Sequence, residues 1–178
     1  MRCNMSEQQR HVLSILVEDR FGELARIVGL FSGRGFNIDS LAVNRTTEPG
    51  MSRVILVTRG DESIIEQINK QLNKLIRVHK VKELSGHDTI ERELCLATVR
   101  CSGSKAREEL DRIVTLSKAR VVTYSANAVT VEVTGTSKEV DNFLEVVRPL
   151  GIRDMVRTAP VAVQNPAAEN EPAAESAA

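Results

Sequence analysis

The feature that most constrains this chain is a change of hydrophobic period that occurs twice in the same order. Residues 11–17, HVLSILV, alternate and set Leu13, Ile15 and Val17 on one strand face. Residues 22–33 then take helical spacing through Leu24, Ile27, Val28 and Phe31. Two strand-like runs follow, residues 37–46 (NIDSLAVNRT) and 51–59 (MSRVILVTR), and the intervening T-E-P-G predicts a turn at Pro49 and Gly50. DESIIEQINKQLNKL offers Asp61 as an N-cap and aligns Ile64, Ile65, Ile68, Leu72 and Leu75 along one helical side. A strand from Ile76 to Leu84 completes the order βαββαβ.

After SGHDTIE the order begins again. LCLATVRC reads as a strand, SKAREELDRIVTLS as a helix with Ala106, Leu110, Ile113 and Val114 inward, and ARVVTY and AVTVEVT as two more strands. In the last of these, Val129, Val131 and Val133 alternate with Thr130, Glu132 and Thr134, the pattern of a sheet wetted on one face. SKEVDNFLEVVRPL supplies the second helix and IRDMVRTA the closing strand. The expectation is an α+β chain of two ferredoxin-like βαββαβ domains in tandem. They occupy residues 11–86 and 90–160, between a leader at 1–10 and a tail at 161–178. The end, QNPAAENEPAAESAA, holds two Pro, three Glu and no large apolar residue, and so predicts disorder.

Composition narrows the function. Apolar residues make up 42% of the chain but aromatics only 3%, so the core must rest on Val, Ile and Leu. The 24 basic and 24 acidic residues cancel, which removes the electrostatic footprint of sequence-independent nucleic-acid or membrane-surface binding. The strands VILVTR and ELCLATV also lack the aromatics on which an RNA-binding sheet of this topology stacks bases. MRCNMSEQQR has no apolar signal-peptide core and no segment approaches the roughly 20 apolar residues of a membrane span, so a cytoplasmic protein is expected. Cys3, Cys95 and Cys101 have no C-x-x-C spacing and suggest neither a disulfide framework nor a zinc site. His11, His79 and His87 are scattered, and no nucleophile–base spacing or G-x-G-x-x-G loop points to catalysis.

One junction carries binding chemistry. In VEDRFGELARIVGLFSGRGFNI, the loop after the first strand delivers a helix N-terminus, where unpaired N–H groups and the helix dipole favour an anion. Gly22 permits close backbone approach, and Asp19 adds a carboxylate beside the electropositive helix end. A free α-amino acid matches both charges: its carboxylate meets the helix N–H groups and its ammonium meets Asp19. Asn37 offers a side-chain amide to the same ligand. The structural alternative is equally concrete, with Asp19 as a cap, Gly22 as a helix opener and Arg34-Gly35 as an ordinary left-handed stop.

VEDRFGELARIVGLFSGRGFNIDSLAV, with SRVILVTRGDESIIEQINKQLNKLIRVHKV, resembles the ACT domain of acetohydroxyacid (acetolactate) synthase small regulatory subunits. The resemblance runs on through EREL and VEVTG and covers roughly residues 11–159. It implies a non-catalytic regulatory protein whose partners are the catalytic large subunit, which it binds and activates, and a second copy of itself, paired through the ACT domains. It implies valine as the feedback effector, bound at the ACT interface by residues matching Asp19, Gly22, Glu23, Leu24, Asn37 and Ile38. No cofactor is expected in this chain; thiamine diphosphate, Mg and FAD are expected on the catalytic partner. Two positions depart from the family pattern: some members carry Asn at the position of Asp19, and Pro often stands at that of Phe21. A stand-alone amino-acid sensor acting on another protein is the alternative that the ACT-like half alone would permit.

Overall fold

A computed structural model of the chain describes residues 9–84 and 89–167. Its described residues divide into two compact units, those up to residue 90 with those from 162 on, and residues 91–161. In the first unit, β1 (Gln9–Glu18), α1 (Glu23–Gly33), β2 (Ser40–Arg45), β3 (Met51–Gly60), α2 (Glu62–Leu72) and β4 (Val78–Glu83) follow in order. The four strands form one antiparallel sheet in the order β2-β3-β1-β4. This is the ferredoxin-like arrangement expected from the βαββαβ order.

The alternation read from β1 is the packing of the sheet. Leu13, Ile15 and Val17 join Val54 and Leu56 of β3 on one face, against Ile27 and Phe31 of α1 and Ile65, Ile68 and Leu72 of α2. Phe31 and Ile27 are fully buried, although the chain has few aromatics to spend. The opposite face is apolar as well, with Val12, Ile55, Val57 and Leu84 buried together with Ala162.

Ala162 belongs to a strand that sequence reading placed in a disordered tail. Residues 161–164 form β9 (Val161–Gln164), and Lys82 donates to the side-chain oxygen of Gln164. Burying a small apolar residue on the free face of the first sheet offsets the ordering of this short segment. Residues 161–164 of the expected tail are therefore ordered, and its residues from 168 on lie outside the described part of the chain, as do leader residues 1–8. Gln9 and Arg10 of the expected leader are the first residues of β1.

The second unit repeats the pattern with β5 (Thr89–Arg100), α3 (Ser104–Leu116), β6 (Arg120–Tyr124), β7 (Ala128–Gly135), α4 (Ser137–Val147) and β8 (Ile152–Arg157). Its strand order is β6-β7-β5-β8, the same as in the first unit. Val129, Val131 and Val133 are buried with Cys95, Ala97 and Val99 against Leu110, Val140 and Phe143. Helix α4 starts on a capping box: Glu139 N–H donates to Thr136 Oγ1, while Glu139 Oε2 accepts from Thr136 N–H at 2.7 Å. Its last expected turn is a separate 3-10 segment, Arg148–Leu150, because Pro149 has no N–H to donate and its ring clashes with the preceding turn.

Candidate effector site at the start of α1

The β1–α1 loop is built by backbone, not by a side-chain cap. Gly22 is the N-cap of α1 with φ 88°, a left-handed conformation that L-residues adopt only at a cost. No side chain caps the helix, so Asp19 does not take the capping role that the sequence left open. Glu23 N–H reaches Arg20 O at 3.4 Å and Arg26 N–H reaches Gly22 O at 3.1 Å. Between them, the N–H groups of Leu24 and Ala25 have no hydrogen-bond partner among the described residues. A helix end open in this way favours an incoming anion.

The other end of α1 is a complete stop. Gly35 has φ 73°, its N–H bonds Ser32 O at 3.3 Å, and Phe36 N–H bonds Phe31 O at 3.0 Å. These are the two bonds of a Schellman motif. The accompanying apolar contact is an edge-to-face pair, Phe31 on Phe36 with centroids 6.0 Å apart.

Asp19 stands three residues before Gly22, its backbone N–H bonded to Gly50 O at 2.8 Å. Its carboxylate accepts from Arg45 Nε at 2.8 Å, and the Arg45 side chain is 85% exposed. An ion pair of such exposure contributes only about 0–1 kcal/mol, so a ligand ammonium can replace the guanidinium at little cost. Phe21 and Leu24, on either side of Gly22, are both exposed, Phe21 completely.

Glu23, one of the residues expected at the effector site, has its side chain held within the protein. Its carboxylate is buried and accepts from Arg77 Nη1 at 2.8 Å and Arg26 Nη1 at 3.0 Å, which leaves it committed to the loop's own structure. Arg77 also lies 3.9 Å from Glu18, which is 3.6 Å from Arg20 and 3.5 Å from His79. Neither Arg45 nor Arg77 stood out in the sequence. Arg45 is the last residue of β2 and Arg77 lies in the turn just before β4, and only strand pairing brings them to the loop.

Asn37 and Ile38 lie elsewhere. Arg45 pairs with Ser52 and Ser40 pairs with Val57, so β2 runs from the Asn37 end of the sheet to the Asp19 end. Thr58 Oγ1 donates to Asn37 O at 2.6 Å, which pins Asn37 at the far end. The six steps along β3 from Ser52 to Thr58 span about 20 Å at the usual strand rise. One protomer therefore does not bring Asp19 and Asn37 to one ligand. Asn37 is exposed, donates to Asp39 Oδ1 at 2.7 Å, and precedes β2 instead of opening it. Ile38 is half-buried against the core of the first unit. A recess of that unit, about 680 Å³, is lined by residues that include Gln9, His11, Ile65, Asn69 and Glu83 and by none of the expected site residues.

Among the described residues no three His, Cys, Asp or Glu side chains converge as a metal site, and no helix is long and apolar enough to cross a membrane. His11, whose Nδ1 lies 2.6 Å from Glu83 Oε1 and whose Nε2 lies 3.3 Å from Gly60 O, is a buried strand residue.

Comparison with known proteins matches this geometry to a family. Residues 13–80 match the domain described as an AHAS small subunit-like ACT domain, and residues 92–166 match the small subunit of acetolactate synthase. The acetolactate synthase small subunit of Mycolicibacterium smegmatis is 44% identical over 153 residues, covering 86% of this chain and 89% of its own length. A probable acetolactate synthase small subunit of Methanothermobacter thermautotrophicus is 43% identical over 157 residues, covering 88% and 94%. The crystal structure of the acetolactate synthase small subunit from Thermotoga maritima superposes with a TM-score of 0.80 at 31% identity, covering 88% of this chain and 97% of that one. With two tandem βαββαβ units, an ACT-type first unit and relatives of this identity along nearly the whole chain, the protein belongs to the acetolactate synthase small subunit family.

Proposed function

We propose that the chain is a non-catalytic regulatory subunit, which binds and activates a separate acetolactate synthase catalytic subunit in the cytoplasm and makes it subject to feedback inhibition by valine. In this reading the thiamine diphosphate, Mg and FAD belong to the catalytic partner, and the product feeds isoleucine and valine biosynthesis. The observation that carries the effector assignment is the open start of α1, where the Leu24 and Ala25 N–H groups have no partner among the described residues, at the end of the loop that carries the Asp19 carboxylate. A zwitterion satisfies both charges at once. The exposed side chains of Phe21 and Leu24 offer apolar surface for an aliphatic side chain.

The wide separation of Asp19 and Asn37 supports a site shared between two copies. Valine held by the Asp19 end of one ACT domain and the Asn37 end of its neighbour would bridge a homodimer and favour one arrangement of it. A catalytic subunit that senses the arrangement must change valine affinity by the same factor that valine changes its own binding, typically about 5- to 150-fold.

The test is reconstitution. Mixing the purified chain with an acetolactate synthase catalytic subunit should raise its rate, and valine should remove the gain. Absence of any rate change on mixing overturns the regulatory role. Valine affinity unchanged in Asp19→Ala, measured by calorimetry, overturns the ammonium contact.

A further inference from the structure

The second unit contains a cavity that the effector reading does not use. It is a half-open recess of about 170 Å³ between α3 and the β6–β7 strands, lined by Cys101, Leu110 and Val129 and by the exposed Arg107, Asp111, Val121 and Tyr124. Cys101, Leu110 and Val129 are buried and make an apolar floor, while Val121 and Tyr124 are exposed walls from the edge strand, Tyr124 at 77%. Arg107 and Asp111 are four residues apart on α3 and so share one helix face.

These two charges are opposite, yet they do not pair with each other. Arg107 Nη2 donates to the carbonyls of Ser125 and Ala126 at 3.3 and 3.1 Å, which fixes the guanidinium at the cavity and leaves its other N–H groups open. The Asp111 carboxylate has no hydrogen bond or ion pair among the described residues. The cavity thus presents a held cation, an uncommitted anion and an apolar floor. A simple carboxylic acid would meet Asp111 as a like charge, and a simple amine would meet Arg107. A molecule carrying carboxylate and ammonium on one carbon meets neither penalty. Size limits its side chain, because a cavity of about 150 Å³ holds a solute of about six heavy atoms.

We propose that this cavity is a second small-molecule site, in the C-terminal unit, for a short-chain aliphatic α-amino acid: Arg107 takes its carboxylate, Asp111 its ammonium, and Cys101, Leu110 and Val129 receive its side chain. The site is independent of the start of α1 and of the Asp19 contact.

The test uses the full chain carrying Asp19→Ala, so that loss at one site is not read as loss at the other. L-valine and L-alanine are titrated by calorimetry and by amide NMR at millimolar concentrations, with isobutyrate and isobutylamine as single-charge controls. The expected result is saturable binding of an amino acid, with shifts at Gly103, Leu110 and Val129, and no saturable binding of either control. Arg107→Gln and Asp111→Asn should each weaken it about tenfold or more. Asp111→Asn removes no bond of the folded chain, so its effect is not one of misfolding. Absence of amino-acid binding, binding unaffected by both substitutions, or equal binding of isobutyrate overturns the proposal, whatever the outcome at Asp19.

Discussion

Arg77 Nη1 donates to Glu23 Oε1 at 2.8 Å, joining the start of β4 to the first turn of α1 across 54 residues of sequence. The Glu23 side chain is only 4% exposed, so this pair holds a carboxylate that the protein has largely removed from water. Arg26 supplies a second, more exposed partner. The start of α1 is therefore braced by Glu23, while the Asp19 carboxylate pairs separately with Arg45.

Removing Arg77 should unsettle that brace. In Arg77→Met the Glu23 carboxylate keeps only Arg26, and a buried charge losing its main partner costs several kcal/mol when nothing compensates. With Arg26 in place, a loss of about 1–3 kcal/mol is expected in urea unfolding. Glu23→Gln in the same background should recover part of it, since the uncompensated charge is gone. No recovery would mean that the carboxylate is not the source of the loss.

Gly22 and Gly35 make a paired prediction about backbone. At both, a Cβ would meet nothing within 4 Å, so substitution costs only the left-handed conformation. Gly22→Ala and Gly35→Ala should each lose about 1–2 kcal/mol, and Gly35→Asn less, because Asn tolerates that conformation. Chemical denaturation distinguishes this from a packing clash, which would make Asn worse than Ala.

Much of this architecture was legible in the chain itself, for a physical reason. Leu13, Ile15 and Val17 alternate with Ser14 and Leu16 because successive side chains of a strand point to opposite faces, and Asp61 announces α2 because its Oδ1 accepts from Ile64 N–H at 2.9 Å. Such signals are local. The contacts that shape the site are not: Glu23 to Arg77, Asp19 to Arg45, and the distance between Asp19 and Asn37 all follow from strand pairing, which no period records. β9 escaped for a related reason, since four residues around a single buried Ala162 are too few to show alternation.

Helix caps should appear in the pH dependence of stability. The Ser63 hydroxyl and the Ile64 N–H hold the Asp61 carboxyl below its ordinary value of 3.8, and Thr136 does the same for Glu139 below 4.5. A carboxyl depressed on folding contributes stability that is complete above its unfolded value and fades as pH falls through the folded one. Asp61→Asn and Glu139→Gln should thus be less stable than the parent at neutral pH, with the difference closing as the pH drops through and below 4. A difference independent of pH would exclude the carboxylate as its origin.

Buried thiols make a kinetic prediction. Cys95 and Cys101 are almost wholly inaccessible, and burial pushes the Cys95 thiol above its ordinary value of 9.0. Since the thiolate is the reactive form, neither should be modified in the native protein faster than the chain opens. A disulfide reagent should label at most one thiol quickly, leaving the other two to follow the rate of opening.

The contact between Arg45 and Asp19 gives the sharpest test of the effector reading, because it predicts a gain. If the ammonium of valine is received by Asp19, Arg45 occupies the same carboxylate in the empty protein and must be displaced or shared. Exposed pairs of this kind contribute about 0.2–1 kcal/mol, so Arg45→Gln should tighten valine binding by about 1.4- to fivefold while Asp19→Ala weakens it. The effect should shrink at high salt, where the competing pair is already screened. Were Arg45 instead a ligand for the valine carboxylate, the same substitution would weaken binding by tenfold or so, the scale of a lost charge-assisted hydrogen bond. Calorimetry on the two variants separates a competitor for Asp19 from a partner in the site by the sign of a single change.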